Sequence, residues 1–214
     1  MPPAALNVLF IGNSFTQRND LPGLLAAMAQ ERGVLVRHKL ISAGGASLRT
    51  HWNAGRAAKE IAAGDYDYVV LQEQSTLPVK NAQRMAENVR LFDEAVKQAG
   101  TKTVLYMTWS RQFAPESQKA ITDAYNSIAK EIGALVVPVG DAWQKFVAKH
   151  TQPSLFDRDQ SHPSLAGSYF AACVFLAALL KINPVGLVAR GEGLNDRDRK
   201  ILQTAAWKQC GRRK

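Results

Sequence analysis

Two cysteines in 214 residues leave no room for a disulfide scaffold or a thiolate metal site, so Cys173 and Cys210 are expected as free thiols. Long apolar runs are also missing. The longest, Tyr169 to Leu180, has twelve residues, too short to span a bilayer, and reads as a buried helix. There is no glycine-rich phosphate loop and no spaced set of His, Cys, Asp or Glu suited to a metal, so neither cofactor nor metal is expected. Repeats and low-complexity tracts are absent. Residues 1–5 carry no basic segment followed by an apolar one, which predicts a cytoplasmic protein as given, or a periplasmic or secreted one if a leader has been removed.

Acidic residues are in deficit, with 18 Asp and Glu against 27 Lys and Arg and a formal charge of +9. The excess is uneven. Arg190 to Lys214 hold eight basic residues against three acids, which reads as the solvated face of a last helix and tail. Lys and Arg are not interleaved with stacking aromatics, and no nucleic-acid motif is present, so no nucleic-acid partner is expected.

What is present is an ordinary globular composition, 46% hydrophobic and 21% charged. Five apolar runs read as strands: 6–11, 34–41, 67–72, 103–107 and 134–139. Helical patterns alternate with them: 20–33, 47–63, 81–99, 116–132, 142–150, 164–180 and 196–210. Strands alternating with helices predict right-handed βαβ units in an α/β fold, a three-layer α/β/α sandwich on a five-stranded parallel sheet. The order 2-1-3-4-5 is predicted, because it puts a switch point beside the first strand. No composition shift marks a boundary, so residues 1–214 read as a single domain whose basic C-terminal helix and tail occupy about 190–214.

The loops with unusual chemistry follow the carboxyl ends of strands, which in a parallel sheet converge on one rim. Ser14, in Ile11-Gly12-Asn13-Ser14-Phe15-Thr16, follows the first strand. A serine hydroxyl is a poor nucleophile until a base takes its proton. Of the four histidines, His38 falls in a strand, His51 in a helix and His150 at a helix end, whereas His162 lies on a polar loop three residues after Asp159. That spacing lets Asp159 hold one ring nitrogen while the other faces Ser14.

In chain order these residues resemble the SGNH (GDSL-type) hydrolases. Asp159-Gln160-Ser161-His162-Pro163-Ser164-Leu165-Ala166-Gly167 is similar to the family's closing Asp-x-x-His-Pro-Ser/Thr-x-x-Gly block. The opening block is similar to Gly-Asp-Ser, with Asn13 replacing the acid. The resemblance implies a flavodoxin-like fold and an oxyanion hole built from the N–H of Ser14, the N–H of Gly45 (with Gly44 one step away) and an amide side chain after the third strand. The family has Gly-x-Asn there, and this chain has Leu71-Gln72-Glu73-Gln74-Ser75. Gln74 matches the register. Gln72 aligns with the glutamine of the Gln-Gly-Glu-Ser segment in carbohydrate-esterase branches and is preferred.

Asn13, Gly44, Trp109 and Arg111 are candidate substrate contacts, although Trp109 reads equally well as packing and Arg111 as a solvated charge. The expectation is a serine esterase acting on a small-molecule ester, with O-acetylated carbohydrate first and short-chain lipid ester or thioester second. The rival from another class is a catalytically silent glycan- or partner-binding module. Oligomeric state stays open.

Overall fold

The computed structural model describes residues 5–189, 191 and 193–211. The expectations for residues 1–4 and for the tail after 211 lie outside the described residues. Five parallel strands make one sheet: β1 (Leu6–Gly12), β2 (Val36–Ser42), β3 (Tyr68–Leu71), β4 (Lys102–Tyr106) and β5 (Leu135–Val137), in the order 2-1-3-4-5. Both β2 and β3 pair with β1, with Phe10 opposite Leu40 on one side and Val70 on the other. The strand carrying the Ser14 loop therefore sits at the switch point.

Alternation along β1 explains the layers, since successive side chains point to opposite faces. Val8 and Phe10, with Val70, Val104 and Tyr106, belong to one buried cluster, and Leu9 and Ile11, with Val69, Leu71 and Leu105, to another. Helices α2 (Leu21–Glu31), α8 (Val139–Val147), α9 (Leu165–Ala178) and α10 (Asp196–Cys210) cover the first face. Helices α3 (Leu48–Ala54), α4 (Arg56–Ala63), α6 (Ala82–Gln98) and α7 (Gln118–Ile132) cover the second. Two single turns, α1 (Ser14–Gln17) and α5 (Leu77–Lys80), lie on the rim.

Helix α9 is buried on every side because it packs against α2, α8 and α10, which is why its sequence is apolar without a stripe. Its Phe175 meets Phe10 and Tyr106 at ring distances of 5.9 and 5.0 Å. Truncating such a side chain costs about 3–5 kcal/mol.

Helix boundaries differ from the sequence reading at three places. The helix expected over 142–150 runs from Val139 to Val147 and takes Val139 from the end of the expected fifth strand. The single helix expected over 47–63 is two, because Gly55 takes φ of 72° and ends α3 before α4 begins. The turn α1 starts at Ser14 itself, earlier than the helix expected from Asp20, and positive φ at Asn19 (53°) and Asp20 (51°) separates it from α2. Among the described residues no helix is long and apolar enough to cross a membrane.

Candidate active site

Ser14 is the first residue of α1, and the side chain of Asn13 caps that turn by accepting the Phe15 N–H. Three further contacts fix the loop. The Asn13 N–H and the Thr16 hydroxyl both donate to Gln72 Oε1, at 2.9 Å each, and Asn13 Nδ2 donates to the Ala46 carbonyl. Gly12 is glycine for a packing reason: a Cβ there would come within 2.6 Å of Gln72 Oε1 and 2.7 Å of Thr16 Oγ1. Its carbonyl accepts from Nε2 of buried His51 at 2.7 Å, which places the hydrogen of that ring on Nε2.

From the other end of the chain comes the loop that precedes α9. Asp159 Oδ1 accepts the Ser161 and His162 N–H groups, at 3.0 and 2.9 Å, and Oδ2 accepts from His162 Nδ1. His162 Nε2 then lies 2.8 Å from Ser14 Oγ. With Nδ1 donating to the carboxylate, Nε2 is left as the acceptor for the serine proton. Burial is the largest influence on the Asp159 carboxyl and pushes it upward. The hydrogen bonds from His162 and Ser161, with the charge of His162, outweigh it and bring the group down to about 2. Asp157, the other nearby acid, is paired with Arg18 instead.

The two halves are laced together beside the dyad. Asn19 Nδ2 donates to the carbonyl of Ser164 at 3.1 Å and to Ser168 Oγ at 2.9 Å. Trp109 Nε1 holds the Ser161 carbonyl at 3.0 Å, while its ring stacks on Trp143 at 3.8 Å and meets Phe15 at 5.0 Å.

The third region is the chain after β3, where Gln72 and Gln74 take different places. The strand ends at Leu71, so strand alternation no longer governs the residues beyond it. Gln72 is 1% exposed, with its oxygen committed to Asn13 and Thr16 and its Nε2 donating to the Glu73 carbonyl. It buttresses the Ser14 loop from below. Gln74 is only partly buried, and its Oε1 accepts from Thr76 N–H, Thr76 Oγ1 and Leu77 N–H, while its Nε2 has no partner among the described residues. Between them lies a buried carboxyl that the sequence reading passed over. Glu73 accepts from the N–H groups of Leu48 and Gln74 and from Asn88 Nδ2, and burial raises its pKa against those bonds.

Gly44 and Gly45 form the exposed turn after β2, closed by Ala46 N–H to Ala43 O, with φ of 65° at Gly45. Neither the Ser14 nor the Gly45 N–H has an acceptor among the described residues. Asn13 is 2% exposed and fully engaged, and Trp109 is 2% exposed, so both hold the site together and present little surface to a ligand. Arg111 differs. Its guanidinium lies 5.6 Å over the Phe15 ring, donates to Ser75 Oγ, and edges a hollow of about 160 Å³. Desolvation lowers its pKa, against the opposing charge of Asp159.

A serine, an imidazole and a carboxylate in relay at the carboxyl edge of a doubly wound sheet define the class of α/β serine hydrolases. Comparison with solved structures narrows the class. A candidate SGNH hydrolase from Slackia heliotrinireducens is 30% identical, with a TM-score of 0.68 over 80% of this chain and 97% of that one. A DUF4886 family protein from Bacteroides uniformis superposes at a TM-score of 0.80 with 22% identity, over 96% and 94% of the two chains. An acetylxylan esterase from Geobacillus stearothermophilus shares the fold at 19% identity and a TM-score of 0.64, over 82% and 95%. No family profile and no curated protein matches. The chain belongs to the SGNH hydrolases.

Proposed function

We propose that this chain is a serine esterase that works through an acyl-enzyme, with residues 1–214 forming one hydrolase domain. The observation that carries the reading is the 2.8 Å approach of Ser14 Oγ to His162 Nε2 while Asp159 accepts from Nδ1. In the first half-reaction Ser14 Oγ attacks the ester carbonyl carbon as its proton passes to His162 Nε2. The carbon–oxygen bond to the leaving group then breaks, and His162 returns the proton to the departing alcohol. In the second half water attacks the acyl-enzyme, gives a proton to His162, and releases the acid with Ser14 restored.

The oxyanion needs donors that are not already spent. The N–H groups of Ser14 and Gly45 are unspent, and so is the amide nitrogen of Gln74, whose oxygen is anchored by Thr76 and Leu77. We therefore assign Gln74, and not Gln72, as the side-chain donor. Arg111 lies over the ring of Phe15, the residue after Ser14, and is assigned to the substrate. The likeness to an acetylxylan esterase makes an O-acetylated carbohydrate the leading substrate class.

Hydrolysis of p-nitrophenyl acetate by the wild type and by Ser14→Ala tests this. Loss of turnover in a variant with an unchanged thermal transition is expected. A folded Ser14→Ala that keeps the wild-type rate overturns it.

A further inference from the structure

A second concave site lies away from the rim, between the C-terminal half of α8 and the solvent side of α10. It is a groove of about 550 Å³, within the range of small-molecule sites. Phe146 and Ile201 supply apolar floor, and His150 stacks on Phe146 at a ring distance of 4.6 Å. Lys145, Lys149, Lys200 and Lys208 stand around it, and no Asp or Glu among the described residues lines it. Lys145 reaches across to Gln209 Oε1 at 3.0 Å; Lys149, Lys200 and Lys208 have no anionic partner among the described residues.

The bland explanation, cations placed at a helix C-terminus, covers only part of this. Lys145 lies in the last turn of α8, Lys149 two residues beyond it and Lys208 in the last turn of α10, but Lys200 sits in the second turn of α10, where no helix C-terminus accounts for it. Two helices thus bring like charges together over an apolar floor, an arrangement that repels itself until a counter-charge arrives. The acids nearest in sequence are engaged elsewhere: Asp141 accepts from Thr122 Oγ1, Asp196 pairs with Arg199, and Asp198 accepts from Asn195 Nδ2.

We propose that this groove binds an anionic amphiphile as a single molecule, its alkyl chain along Phe146 and Ile201 and its charged head among the lysines. The site is independent of the proposed esterase reaction. Charge complementarity selects an anionic head, and the apolar floor selects a tail, which a solvated lysine face would not need.

Calorimetric titration of the full chain with dodecyl phosphate below its micelle-forming concentration tests the proposal. Saturable one-to-one binding is expected, with no comparable signal from inorganic phosphate or dodecyltrimethylammonium. The double substitution Lys149→Gln, Lys200→Gln should weaken binding about tenfold, as two exposed charge contacts would. Both positions are exposed, so its thermal transition and its hydrolysis of p-nitrophenyl acetate should stay at wild-type values. Absence of saturable binding overturns the site, and so does unchanged affinity in the double variant, which would put the ligand elsewhere. Equal binding of inorganic phosphate, or binding only to anionic phosphatidylglycerol vesicles, overturns the amphiphile.

Discussion

The loop from Asp157 to Ser164 and the segment from Gln72 to Leu77 flank the same serine but are built on opposite plans. The acid and base of the first are set by short-range bonds, from Asp159 to the N–H groups two and three residues on and from Asp157 N–H to the His162 carbonyl, while Arg18, Asn19 and Trp109 tie the flanking residues Asp157, Ser164 and Ser161. Its working groups stay partly open, with side-chain exposures of 25% for His162 and 44% for Asp159. The second is held at long range. Gln72 reaches Asn13 and Thr16, and Glu73 reaches Leu48 and Asn88, all from buried positions. A loop with local ties can present an acid and a base without cost to the core, whereas a segment threaded through the core is spent on holding other parts in place.

That contrast predicts which substitutions should damage chemistry and which should damage stability. The largest kinetic effect is expected at Asp159. Asp159→Asn should lower kcat by on the order of 10⁴, since the amide favours the wrong imidazole tautomer. Asp157→Asn, which only releases Arg18, should leave kcat within about twofold, as for an exposed ion pair. Comparable losses from both would break the distinction inside the loop.

Next come the two glutamines. Gln74→Ala should lower kcat by roughly 10²–10³ with KM nearly unchanged, the signature of a donor used in the transition state. Gln72→Ala should instead destabilise the fold, because it strips the acceptor from the buried Asn13 N–H and Thr16 hydroxyl, at about 1–3 kcal/mol per unsatisfied group. Denaturant unfolding and steady-state kinetics on the same two proteins separate the effects, and the reverse pattern would restore Gln72 as the donor.

Glu73→Gln sharpens the comparison further. It keeps an oxygen for Leu48 and Gln74 but turns an N–H toward Asn88 Nδ2, so a loss of about 1–3 kcal/mol is expected by thermal unfolding. An unchanged transition would mean that the carboxyl already sits protonated beside Asn88.

The smallest effects concern pH. The Asp159 carboxyl titrates at about 2 in the folded chain, below its ordinary 3.8. Its contribution to stability is therefore complete above the unfolded value and fades as pH falls through about 2. It stays ionised across the range in which imidazoles change charge, about pH 5 to 8. Loss of rate toward acid within that window therefore does not come from Asp159. Activity flat from pH 5 to 8 would contradict a histidine base.

The fold was readable because period-two and period-3.6 patterns survive in the bare sequence, as in Val8 and Phe10 against Leu9 and Ile11. Ser14, Asp159 and His162 could be singled out because a polar break after a strand and an acid three residues before a histidine fall inside two short blocks that resemble the family's opening and closing motifs. The choice between Gln72 and Gln74 could not be read this way. It depends on where β3 ends and on which side chain fills the space above Gly12, and both are set by residues far away in the chain. Glu73 was invisible for the same reason. A lone glutamate in sequence gives no sign that it will be buried under the first residue of α3.

The central claim is that Ser14 is the nucleophile and His162 its base, and covalent labelling tests it most directly. A fluorophosphonate probe reacts with activated serines only, and mass spectrometry of the digested chain locates the adduct. One adduct on the peptide containing Ser14 is predicted for the wild type, with none in His162→Ala under the same conditions. An adduct on another serine, or equal labelling of Ser14 without His162, would contradict the account.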